Sequence, residues 1–165
     1  MALIASKEVG LLLRLLDQGF DRRAWHGTNL MGSLRGVGVE EALFRPNPHR
    51  HNVWELAVHA AYWKYAVRRR LTGEKRGSFA FAGSNFFPRP DERGATAKAW
   101  SEDLKLLRAE HRALRAVVEG LRSADLARLS PKKSWTTADT VAGVASHDIY
   151  HAGQIQLLRR LYLKR

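Results

Sequence analysis

Residues 146–156 read SHDIYHAGQIQ. They sit inside a longer patterned run, from about Thr137 to Leu163. Within it Thr140, Val144, His147, His151, Gln154, Ile155, Leu158 and Leu161 fall on one helical stripe. Four residues along an α-helix rise roughly 6 Å and turn about 40°. The imidazoles of His147 and His151 therefore leave one face of the helix and can converge on one ion. Reading this run as helix decides the fold class, because the other long segments repeat the same period.

Working outward, Val9, Leu12, Leu13, Leu16 and Phe20 trace a helical face in a segment from about Ala5 to Arg23. Leu11 and Leu15 widen that face, so burial on more than one side is expected, with Ser6 and Glu8 suited to the start. Gly27 can end a helix and Thr28 or Asn29 can cap the next. Short helical turns are expected near Leu30–Val37 and Val39–Leu43, before Phe44-Arg45-Pro46-Asn47-Pro48 breaks the pattern. Asn52 and Glu55 form a capping-box pattern ahead of a helix over about Val53–Leu71, whose stripe is Leu56, His59, Ala60, Trp63 and Val67. A third long helix, about Thr96–Leu121, carries Trp100, Leu104, Leu107, His111, Leu114, Val118 and Leu121 on its core face. The irregular stretch around Pro131 follows, with Trp135 expected as an anchor.

Between the second and third long helices lies GEKRGSFAFAGSNFFPRPDERG, with four Phe, two Pro and four Gly. A long loop in a small domain that carries this many aromatics reads as packed over the bundle, either at the mouth of a site or simply capping the bundle's end. Four long amphipathic segments without a convincing strand predict an all-α, four-helix bundle with long connections, forming one domain over residues 1–165.

A chain of 165 residues is long enough to bury a core without covalent or metal support. It has no cysteine, which excludes disulfides, zinc knuckles and thiol chemistry by the protein itself. The N-terminus lacks the pattern of a signal peptide and no apolar run is long enough to span a membrane, so a soluble cytoplasmic protein is expected. Lys and Arg number 28 against 16 acids, a formal charge of +12. These cations are spread through most segments and read as a solvated basic surface. The alternative is a nucleic-acid or other anion footprint along Lys105, Arg108, Arg112 and Arg115.

Histidine suits metal binding because a neutral imidazole offers a lone pair near neutral pH. His59 lies on the apolar stripe of another helix, and three protein ligands leave a coordination position open. A lone histidine on such a stripe is ordinarily a hydrogen-bonded core residue. Three of them, two at helical spacing, shift the balance toward a metal site. Each ligand needs a partner for its second ring nitrogen, and Asp148, Gln154, Glu55 and backbone carbonyls are the candidates. HDIYH also matches the zinc-protease pattern HExxH with Asp for Glu, although a small bundle is a poor home for a peptide cleft. His111, on the apolar face of its helix, reads as a core histidine with the pocket as its alternative. His26, at a helix junction, is a candidate for the cavity mouth, while His49 and His51 read as surface residues.

Three blocks then carry a family likeness: AWHGTNL at 24–30, NVWELAVHAAYWKYAVRRRLTG at 52–73 and SHDIYHAGQIQLLRR at 146–160. In sequence, order and spacing they resemble the DinB-like superfamily, which includes YfiT-type metal-dependent hydrolases. The resemblance implies a four-helix bundle with a divalent metal (nickel, zinc or iron) on His59, His147 and His151. It implies a homodimer and a small-molecule substrate. Some relatives are thiol S-transferases that use low-molecular-weight thiols. The expected activity is thus activation of a small thiol or of water. The rival expectation is a non-catalytic metal-containing or basic binding protein.

Overall fold

The computed structural model describes residues 6–130 and 134–164. The N-terminal residues through Ala5, on which the signal-peptide reading rested, and Pro131 lie outside the described residues. The elements are α1 (Lys7–Phe20), α2 (Leu30–Ser33), α3 (Val39–Leu43), α4 (Val53–Thr72), α5 (Ala97–Glu119), α6 (Ser123–Leu126) and α7 (Thr137–Tyr162). Among the described residues the one β interaction is an isolated bridge between Leu129 and Thr136. The expected all-α class is thus observed, and no described helix is long and apolar enough to cross a membrane.

Side-chain caps set the helix starts. The Ser6 hydroxyl accepts from Val9 N–H, and Thr96 accepts from Ala99 N–H. Asn52 and Glu55 make the expected capping box at the start of α4. At α7 the box is Thr136 with Asp139, one residue ahead of the expected start. Each such cap satisfies amide groups that the first turn leaves without an intrahelical partner. Gly73 closes α4 with φ of 76°, a left-handed conformation that glycine adopts without steric cost.

The four long helices each pack on two others: α4 on α5 and α7, and α1 on the same two. Consecutive long helices are therefore not always neighbours. The chain crosses from α1 to α4 through α2 and α3, and from α5 to α7 through α6, which accounts for the long connections. α4 is the most enclosed element, buried around most of its circumference from Val53 to Val67. α1 and α7 approach closely where Gly19 faces the backbone of Ala145; a Cβ at Gly19 would lie 2.8 Å from the Ala145 carbonyl oxygen.

Two sequence expectations need correction. Leu11 and Leu15 are exposed, because α1 packs on one side only. Trp135 is no buried anchor: it is 65% exposed and stands at the edge of the cavity described below.

The apolar core divides into two clusters. One gathers Trp54, Leu56, Trp100, Leu107 and Ile155 with the residues of α2 and α3. The other gathers Val9, Leu16, Val67, Leu114, Val118 and Val141. Lys64, His111 and Asp148 are buried polar groups of the same helices.

The loop over 73–96 is packed, as expected. Asp103 of α5 is its anchor, with its carboxylate accepting from Trp54 Nε1 at 2.7 Å, Arg89 Nε at 2.8 Å and Arg93 Nη2 at 2.9 Å. Phe81 lies under both the Arg89 and the Arg93 guanidinium groups. Satisfying a buried carboxylate with three donors offsets its desolvation and fixes where the loop returns to the bundle.

Candidate metal centre

α4 supplies His59 to one point and α7 supplies His147 and His151. His147 Nε2 lies 3.1 Å from His59 Nε2 and 3.0 Å from His151 Nε2. A ligand atom from each residue falls within 4.8 Å of the others, a grouping that can hold a metal ion. The i, i+4 spacing puts two of the rings on one face, and the packing of α4 on α7 supplies the third.

The second ring nitrogens test the fit. His59 Nδ1 lies 2.9 Å from the Asn85 carbonyl oxygen, which only accepts, so Nδ1 carries the proton. His151 Nδ1 lies 2.7 Å from Gln154 Oε1, and the amide nitrogen of Gln154 donates to the Tyr150 hydroxyl at 3.1 Å. That orientation makes His151 Nδ1 a donor as well. Two neutral rings therefore aim Nε2 lone pairs at His147 Nε2, where a single N–H can serve one of them well. A cation accepts all three lone pairs at once. The donor set fits a divalent metal of the kind that nitrogen ligands hold.

Burial keeps these rings neutral. It pushes His59 down to about 4 and His147 down to about 3, with the neighbouring histidines adding to both shifts. His151 is lowered by the same cause, against an opposing pull from its Gln154 hydrogen bond. Neutral imidazole is the ligating form, so the site stands ready to bind through the physiological range.

Asn85 is the one described non-glycine residue with positive φ, at 70°. Its carbonyl meets His59, and its side-chain oxygen accepts from Trp63 Nε1 at 3.1 Å. Asparagine tolerates the left-handed region better than most residues. The next residue, Phe86, lies flat on the His59 ring with centroids 4.0 Å apart. The packed loop thus builds one wall of the site.

A cavity of about 910 Å³ opens at the triad. Its walls are largely apolar, with Leu56, Trp63 and Val67 from α4 and Val144, Leu157, Leu158 and Leu161 from α7. Arg50 and Arg70 line it too, and Arg70 lies over the Trp63 ring.

Several expected site residues fall elsewhere. Glu55 does not reach a triad ring: it takes two guanidinium N–H groups of Arg45 and pairs with His51. Asp148 points to the bundle interior and pairs with Lys64, which also removes it as a base of protease type. Of the three side chains expected to orient a ligand, Gln154 alone does so. His147 Nδ1 is buried without a protein partner. His26 is exposed and does not line the cavity. His111 is the core residue that its place on the apolar stripe suggests, stacked on Phe20 at 3.7 Å and pushed down to about 3 by burial and by the charge of Lys64. His51, read as a surface residue, does line the cavity. In the basic stripe, Arg115 is engaged by Asp17 and Glu119, so the stripe is partly neutralised.

Asn85 and Phe86 were not found from sequence as individual site residues. The loop's aromatic content was the signal, but nothing in composition says which of its carbonyls meets a histidine. Comparison with known proteins gives a match to the family described as the DinB superfamily, over residues 22–155. No curated protein and no solved structure matches the chain.

Proposed function

From the premise that the chain belongs to the DinB superfamily, we propose that it is a divalent-metal-dependent enzyme that activates a small nucleophile, a thiol or water, against an apolar small-molecule electrophile. The observation that carries this reading is the convergence of three Nε2 lone pairs at the wall of a cavity. When bound, the metal supplies Lewis acidity, which lowers the pKa of a coordinated thiol or water.

The chain's own residues do the rest. Asn85 and Gln154 hold two ligand rings in the tautomer that presents Nε2. Three neutral ligands leave the positive charge of the cation uncompensated, which suits stabilisation of an anionic nucleophile. Apolar walls exclude water and favour a substrate with an apolar body. Thiol transfer is the favoured version, since such walls keep bulk water from competing with sulfur for the electrophile. Hydrolysis is the other version of the same site.

The test has two stages. Full-length protein purified without an affinity tag is dialysed against zinc or nickel, and bound metal is measured for wild type and His147→Ala. Stoichiometric metal in wild type and its loss in the variant is the expected result. Metal-loaded protein is then given a panel of small thiols with monobromobimane, and separately p-nitrophenyl acetate. Conjugation that depends on both metal and thiol supports the transferase; metal-dependent ester cleavage without thiol supports the hydrolase.

A further inference from the structure

His51 belongs to the loop before α4, and its ring lies flat on Phe86, with centroids 3.6 Å apart and planes 3° from parallel. Phe86 lies equally flat on His59, at 4.0 Å and 9°. Two stacking spacings therefore separate His51 from a ligand of the triad, and all three rings line the same cavity.

The two nitrogens of His51 have different surroundings. Nδ1 lies 3.0 Å from Glu55 Oε2. Glu55 is itself clamped, by two N–H groups of the Arg45 guanidinium and by the backbone N–H groups of Asn52 at 3.3 Å and Arg89 at 3.4 Å. Burial, the largest single effect on Glu55, raises its pKa, but the Arg45 and His51 hydrogen bonds outweigh it and the net shift is downward. An ionised carboxylate only accepts, so the proton of a neutral His51 ring sits on Nδ1 and the lone pair on Nε2. Nε2 has no protein partner among the described residues, and the side chain is 48% exposed. The carboxylate that lines the cavity, Asp139, is occupied as the N-terminal cap partner of Thr136.

We propose that His51 is the general acid–base of this cavity, oriented by Glu55, which Arg45 holds in place. This rests on the metal-dependent reading above and adds the proton acceptor that the triad lacks. As the nucleophile reacts, its O–H or S–H bond breaks and an N–H bond forms at His51 Nε2. The electron pair stays on the oxygen or sulfur, which attacks the electrophile. Glu55 balances the charge of the imidazolium. The proton then passes from Nε2 to the departing atom where that atom is basic, and to solvent water where it leaves as a stable anion such as bromide or p-nitrophenolate, so the ring ends neutral.

The test uses the full chain with Glu55→Gln and His51→Gln. Ring ¹⁵N NMR of the metal-free protein, at a pH where His51 is neutral, is expected to show one tautomer protonated at Nδ1, and Glu55→Gln is expected to mix the two tautomers. A wild-type ring protonated mainly at Nε2 overturns the proposal, and this readout needs no substrate. In zinc-loaded protein acting on p-nitrophenyl acetate, or on cysteine with monobromobimane, His51→Gln is expected to lower kcat by roughly 10²–10⁴-fold with zinc content unchanged. Equal kcat, or loss of zinc from His51→Gln, overturns it. Failure of the underlying metal reading is distinguished by His147→Ala: a variant that keeps its zinc refutes the triad whatever His51 does.

Discussion

Lys64 of α4 and Asp148 of α7 form an ion pair in which both side chains are 0% exposed. Asp148 is next in sequence to His147, and the pair joins the two helices that carry the triad. Burial pushes the Asp148 carboxyl up, and Lys64 pulls it back. Its Oδ1 has no protein partner, so the ammonium carries most of the compensation. Removing one member of a buried pair leaves an uncompensated charge and typically costs about 3–5 kcal/mol, whereas replacing both by apolar groups can be nearly neutral. Lys64→Met and Asp148→Leu are each expected to lose about that much stability in urea titrations. The double variant is expected to lose far less than their sum. An additive double variant would show that the two charges do not compensate one another.

Stability should also fall in mild acid, and the sign follows from the buried histidines. An unfolded histidine titrates near 6.5, whereas His111 and His147 titrate at about 3 in the fold and His59 at about 4. Above about pH 6.5 both states are neutral and no pH dependence arises. Below it the unfolded chain takes up protons that the fold refuses. The stability present above 6.5 is therefore lost progressively as pH falls toward 3–4, at about 1.4 kcal/mol per pH unit for each such histidine. Metal-free protein melted in denaturant between pH 7 and 5 measures the slope. His111→Leu, which keeps the stack on Phe20 apolar, is expected to reduce that slope by one histidine's share. A slope unchanged by the substitution would mean that His111 is protonated in the fold.

The long helices and the His147–His151 pair were legible in the sequence because both depend on local period. His59 joins them through the packing of α4 on α7, and was reached by way of its apolar stripe and the family resemblance. The 3.6-residue repeat places His147 and His151 together whatever the rest of the chain does, and side-chain caps such as Asn52 with Glu55 act within a few residues. What the period does not encode is which nearby polar group a helix turns inward. Asp148 looked like a partner for a ligand ring, but one residue is a turn of about 100°, which carries it from the site to the interior and to Lys64. His51 reads as a surface residue and is 48% exposed; that it also lines the cavity depends on Phe86, 35 positions away, which lies flat on its ring. Glu55 was legible as a cap, and its second duty to His51 and Arg45 was not.

The approach of α1 to α7 depends on Gly19. An added Cβ would sit 2.8 Å from a backbone carbonyl oxygen, and backbone cannot rotate out of the way as a side-chain tip can. Gly19→Ala removes a helix-weakening glycine, which alone would stabilise α1 by up to about 1 kcal/mol. The steric conflict is expected to reverse that sign, because overpacking a helix contact typically costs about 1–3 kcal/mol. Gly10 faces open space, and Gly10→Ala is the matched control, expected to stabilise. Thermal melts of the two variants should move in opposite directions.

Metal binding at the triad, as proposed, should depend on the groups that orient its rings. Gln154→Ala deprives His151 Nδ1 of its acceptor while leaving all three ligands in place, and loss of such a partner typically costs 10–100-fold in metal affinity. The Asn85 carbonyl cannot be deleted, but its placement can be: the residue holds φ at 70°, where glycine is at ease and a β-branched side chain is not. Asn85→Gly is therefore expected to retain most of the affinity for zinc, and Asn85→Val to lose it, although both remove the same side chain. Competition titrations against a chromophoric chelator read both. Equal affinities in the two variants would show that the direction of the Asn85 carbonyl does not matter, and if both also fell below wild type, that the side chain, through Trp63, does.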